Sequence, residues 1–192
     1  MKLQKIPPKL LSDVLQACLE NSIGLYFVNK PYLGTTRNRF SGYFDDRKIV
    51  VATKDKEWLD VLLHESCHLD QFSEQHPLWD AVDKAIGLVE EWVEGAEISN
   101  GRIKRAIQTI ISLEHDCEKR TLKKIDYYKL PICKKHYATQ ANAYLFGYWA
   151  TYKRRVHCLL PYQKPAILKL MPKRLLPLDS YLNPDKKFIS SF

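Results

Sequence analysis

The sequence predicts an α+β fold: one helix, a small antiparallel sheet, then several longer helices. Three observations carry this. Apolar residues first recur at helical spacing, then cluster in short β-branched and aromatic runs broken by Gly, Asn and Asp, then return to helical spacing over long stretches.

Taken in order, Pro7 and Pro8 precede a helical pattern from about Lys9 to Asn21, with Leu11, Val14, Leu15, Cys18 and Leu19 as its apolar stripe. Gly24 to Val28 reads as a short strand, and Asn29 to Arg39 as a loop. Asp45-Asp46-Arg47 is expected to turn a hairpin into Lys48-Ile-Val-Val-Ala. Thr53 or Asp55 can cap a helix from about Lys56 to Ser73, which His76-Pro77 breaks. A second helix is expected from Leu78 to Ile98, ended by Asn100-Gly101. A third runs from Arg102 to Tyr128, stopped by Leu130-Pro131, and a fourth from Lys135 to Val156. From Pro161 onward prolines mix with lysine and arginine. Residues 161–192 therefore read as a basic, extended tail behind a domain spanning 1–160.

Composition bounds the function classes. At 192 residues, 45% hydrophobic and 27% charged, the chain resembles an ordinary globular protein able to bury a core. No uninterrupted apolar stretch is long enough to span a bilayer, and the N-terminus lacks a sustained apolar region with a cleavage site. The expectation is an intracellular, cytoplasmic protein with no membrane partner. The cysteines (Cys18, Cys67, Cys117, Cys133, Cys158) are odd in number and form no CxxC pair, which fits reduced thiols and excludes a zinc knuckle. The net charge of +8 admits nucleic acid or acidic proteins as contacts of a basic surface, or a face tuned for solubility. No nucleic-acid-binding motif accompanies it.

The chemistry is concentrated in residues 64–68, His-Glu-Ser-Cys-His. Histidines four apart share one face of a helix, so both imidazoles can reach one tetrahedral Zn2+. The intervening Glu65 is placed to take a proton from water as it attacks a carbonyl, the role of a general base. A shuffled sequence of this composition shows such a motif only about once in a hundred, and here it sits mid-helix after a strand.

A catalytic zinc needs a third protein ligand. The residues after His68 (Leu-Asp-Gln-Phe-Ser) do not continue into an HExxHxxGxxH arrangement, and a glutamate from a later helix is the main alternative. Glu91 and Glu94 fall on the polar face of the second helix. In the third helix Ile103, Ile107, Ile110 and Ile111 form an apolar stripe that Glu114, Glu118, Leu122 and Ile125 continue. A carboxylate on such a face needs a partner, and a metal supplies one. Glu114 is the first candidate ligand. Glu118, one turn on, can orient a ligating histidine or exchange roles with Glu114. His115, slightly off that face, is a weaker candidate, and His136 and His157 read as surface residues. Tyr137, Tyr144, Tyr148 and Tyr152 are candidate oxyanion donors, Tyr144 foremost. Cys67 and Cys117 read as small packing residues, with thiolate ligation the alternative.

Val61-Leu-Leu-His-Glu-Ser-Cys-His-Leu-Asp together with Glu114-His-Asp-Cys-Glu resembles the gluzincin metallopeptidases, in which HExxH is completed by a helix carrying E-x-x-x-D. Leu113-Glu-His-Asp-Cys-Glu-Lys-Arg and Ala141-Asn-Ala-Tyr look like the small metallopeptidases of bacteriophage and bacterial genomes. The resemblance rests on residues 61–70, 113–120 and 141–144. It implies a zincin-like fold, zinc held by His64, His68 and Glu114, and a protein or peptide substrate. Glu118 stands where that family has aspartate. Two other readings stay open: a nucleic-acid-associated protein with a zincin core, and a catalytically silent zincin-fold structural protein such as a virion component.

Overall fold

The computed structural model describes residues 6–34, 39–158, 161–185, 188 and 192. It is α+β, with seven α-helices and two small sheets among those residues. The helices are α1 (Pro8–Glu20), α2 (Trp58–Ser73), α3 (Trp79–Val93), α4 (Asn100–Tyr127), α5 (Lys134–Arg154), α6 (Pro165–Leu168) and α7 (Asp179–Leu182). The strands are β1 (Gly24–Val28), β2 (Leu33–Gly34), β3 (Arg39–Phe40), β4 (Gly42–Asp45) and β5 (Lys48–Ala52). The chain divides into two compact units, residues 1–76 with 120–132 and residues 77–119 with 133–192.

In the first unit β5 is the central strand, with order β1-β5-β4. The β4–β5 hairpin is antiparallel as expected, pairing Gly42 with Val51 and Asp45 with Lys48. The Asp45 carboxylate accepts the N–H groups of Arg47 (2.9 Å) and Lys48 (3.0 Å), which is why the turn falls there. The expectation of an antiparallel sheet fails at β1, which pairs with β5 in parallel, Gly24 to Lys48 through Val28 to Ala52. The segment between them is long enough for the crossover that parallel pairing requires. Part of that segment, expected to be loop, forms the short antiparallel pair β2–β3. Ile49, Val50, Val51 and Ala52 are buried, as suits a central strand.

Helix α2 packs on β4 and β5. It buries Leu59, Leu62, Leu63 and Leu69, each contributing about 1.5–3 kcal/mol relative to exposure. Gly42 lets the two surfaces meet: a Cβ there would sit 2.5 Å from Val61 Cγ1 and 2.8 Å from the Val50 carbonyl oxygen. At the N-terminus of α2 the N-cap is Glu57, without a side-chain cap. Asp55 instead accepts the Glu57 N–H (2.9 Å) and the Ser41 hydroxyl, while Thr53 donates to the Val28 carbonyl. In α1 the buried residues are Leu10, Val14 and Cys18, so the stripe is rotated from the expected one and Leu15 and Leu19 are exposed.

The second unit is built around Val82, Val89 and Trp92 of α3, Ile103, Ile107, Ile110 and Ile111 of α4, and Leu145, Phe146 and Trp149 of α5. Helix α3 ends at Val93, earlier than expected, and Asn100-Gly101 begins α4 rather than ending α3. Gly95, at φ 118°, takes the left-handed turn that stops α3, its N–H bonding the Trp92 carbonyl. The segment read as a basic tail contributes Ile167, Met171, Tyr181 and Phe192 to the same core. The Asn142 amide donates to the carbonyls of Pro172 (2.8 Å) and Arg174 (2.9 Å), and the Trp149 indole donates to that of Tyr181 (2.6 Å). Proline at the first turn of α6 starts a helix there.

Candidate metal-binding residues

In the first unit, α2 carries His64, Glu65 and His68 in mid-helix, where the backbone is fixed by packing on the sheet. The two imidazoles meet edge to face, centroids 4.8 Å apart. Their Nε2 atoms are 3.1 Å apart. Two nitrogens bound at about 2.0–2.1 Å to one tetrahedral zinc stand about 3.3 Å apart. The pair therefore has nearly the bite the ion needs without rearrangement of the helix.

His68 Nδ1 lies 2.9 Å from Gln71 Oε1, an amide oxygen that can only accept. Nδ1 therefore carries the ring proton, and Nε2 presents its lone pair toward His64. Glu65 is buried, 8% exposed, and α2 packs this turn against Gly42. The opposite flank of α2 is tied to the last turns of α4. Lys124 bonds Asp70 (2.7 Å) and the Ser66 carbonyl (3.1 Å), and Arg120 pairs with Glu74 (2.9 Å). The Thr121 hydroxyl donates to Cys67 Sγ (3.4 Å), so Cys67 sits in helix packing.

In the second unit, Glu114 and Glu118 are both buried on α4, at 8% and 3% exposure, as their place on the apolar stripe predicts. Glu118 accepts a 2.5 Å hydrogen bond from the Tyr137 hydroxyl of α5. Glu114 accepts a longer one, 3.4 Å, from Tyr148. The Tyr148 and Tyr144 hydroxyls lie 2.7 Å apart. Burial first, and the nearby Glu114 charge second, push both phenols well above their ordinary pKa, so they remain protonated donors at neutral pH. Tyr144, the first sequence candidate for an oxyanion donor, thus meets Tyr148, which in turn donates to the carboxylate.

His115 is buried and its Nε2–H donates to the Leu176 carbonyl (2.9 Å). Burial lowers its pKa. It is held as a neutral structural residue. His136, His157, Glu91 and Glu94 are exposed. Gln71 and the Tyr137–Glu118 contact are the features that motif reading missed. Gln71 lies three residues after His68, one turn along the same face, so helical spacing was the available signal. The Tyr137–Glu118 contact crosses two helices and left no local trace.

The chain matches no protein-family model, no curated protein and no solved structure. Among the described residues, no helix is long and apolar enough to cross a membrane.

Proposed function

We propose that this protein is a zinc-dependent metallopeptidase in which His64, His68 and Glu114 hold the metal and Glu65 is the general base. The observation that supports it most is the 3.1 Å separation of the two Nε2 atoms, with the His68 lone pair set by Gln71. Buried carboxylates on α4 suit the same chemistry, since Glu114 can give a divalent cation the charge that a tetrahedral His-His-Glu set requires. Zinc, when bound, supplies Lewis acidity toward a peptide carbonyl and toward water.

The chain's own groups do the rest. The Glu65 carboxylate removes a proton from the attacking water and returns it to the leaving amine nitrogen. The Tyr148 hydroxyl, itself in contact with that of Tyr144, donates to one oxygen of Glu114.

Glu65→Gln tests the reading. The amide keeps the shape and removes the base, so hydrolysis of a casein or peptide-library substrate should fall at least about a hundredfold with zinc content unchanged. Equal hydrolysis by wild type and variant overturns the assignment of Glu65. Bound zinc with no hydrolysis of any protein substrate by the wild type favours a catalytically silent zincin-fold protein instead.

A further inference from the structure

Gln71 is fully buried, at 0% exposure, in the last turn of α2. A buried primary amide costs free energy unless its polar atoms are engaged, so apolar residues usually fill such positions. Its oxygen is spent on His68 Nδ1 at 2.9 Å. Its backbone is pinned as well. The Gln71 carbonyl accepts the His76 N–H (2.9 Å), and Gln75, at φ 53°, bonds the Phe72 carbonyl (3.0 Å). That paired closure fixes the turn from which the side chain reaches back to His68.

A neutral imidazole has one N–H and one lone pair, and whichever nitrogen meets an obligate acceptor must carry the proton. We propose that Gln71 is a positioning residue that selects the metal-ligating tautomer of His68 and holds its ring plane. With Oε1 on Nδ1, the lone pair falls on Nε2, the atom facing His64 Nε2 at 3.1 Å. With an N–H in place of Oε1, the proton moves to Nε2 and blocks that direction. This inference rests on reading His64 and His68 as ligands. Gln71 itself touches neither metal nor substrate.

The test uses the full-length protein and zinc alone. Zinc affinity is measured by chelator competition for wild type, Gln71→Leu and Gln71→Glu, with circular dichroism confirming the fold of each. Loss of an outer partner of a ligating histidine weakens metal binding by about 10–100-fold, the change expected for Gln71→Leu. Gln71→Glu, which keeps an acceptor, should bind at least as tightly as wild type. In the metal-free wild type, ring 15N shifts should show His68 protonated at Nδ1, and Gln71→Leu should shift that pattern toward the Nε2–H form.

Affinity of folded Gln71→Leu within about twofold of wild type, or an Nε2–H form of His68 in the metal-free wild type, overturns the proposal. Should Gln71→Leu fail to fold, a tenfold or greater loss in Gln71→Glu overturns it equally. A folded wild type that binds no zinc overturns the proposed function, and the ring shifts then still decide the Gln71 contact on their own.

Discussion

Adding one methyl at Gly42 should loosen the attachment of the motif helix to its sheet. The Cβ of Gly42→Ala would lie 2.5 Å from Val61 Cγ1, 2.8 Å from the Val50 oxygen and 3.7 Å from Glu65 Cγ. The Val61 methyl can swing away, at a rotamer cost of about 0.5–1.5 kcal/mol. The Val50 oxygen cannot move so cheaply, because it belongs to the β5 backbone, which pairs with β4 through Gly42–Val51 and Tyr43–Val50. Overpacking of this kind costs about 1–3 kcal/mol. At about 2–4 °C per kcal/mol for a chain of this size, the melting temperature should fall by about 2–12 °C. Thermal melts followed by circular dichroism read this directly. A Gly42→Ala protein that melts within about 1 °C of wild type refutes the packing argument.

Gly87 gives the opposite outcome. It sits inside α3 with nothing within 4 Å of an added Cβ, so Gly87→Ala should stabilise by about 0.5–1 kcal/mol in urea titration, and a loss of stability would count against the α3 geometry. Trp149→Phe deletes the indole N–H that reaches the Tyr181 carbonyl at 2.6 Å, and should cost about 1–3 kcal/mol; no change would mean that this segment is not held there. Asp13 is held below the usual carboxylate range by Lys9 first and the Tyr128 hydroxyl second. A depressed folded pKa stabilises above the unfolded value and loses that stability as pH falls through the folded one. The advantage of wild type over Asp13→Asn should thus be constant from about pH 5 upward and shrink below about pH 4, and growth of the gap on acidification would reverse the assignment.

The parts of this protein that the sequence made readable are those governed by local chemistry. Histidines four apart on an apolar helix imply a shared face, and they share one. The Ile103-to-Ile125 stripe implies that Glu114 and Glu118 are buried, and both are. Helix ends were harder. Ser22, Gln75 and Lys129 adopt φ values of 57°, 53° and 51° just past α1, α2 and α4, taking a left-handed position for which glycine is the usual signal. At α3 the glycine was present as Gly95, but Asn100-Gly101 drew the boundary further along, where α4 in fact starts.

Sheet direction was not readable, because β1 and β5 carry the same apolar character in parallel or antiparallel pairing. Leu15 and Leu19 lie on the apolar arc of α1, yet the neighbouring Leu10, Val14 and Cys18 are what packing buries. Past Pro161, the buried Ile167, Met171 and Tyr181 follow no helical or strand period, so their place in the core came from tertiary contacts alone. The donors to Glu118 and Glu114, Tyr137 and Tyr148, were visible only as tyrosines on a helix face.

Metal content of the untagged protein tests the central claim most directly, measured by elemental analysis beside His64→Ala and Glu114→Ala. About one zinc per chain is expected in the wild type, with loss of it in both folded variants, because a zinc site does not survive removal of a protein ligand. Folded wild-type protein without zinc, or zinc retained at wild-type level after either substitution, would contradict it.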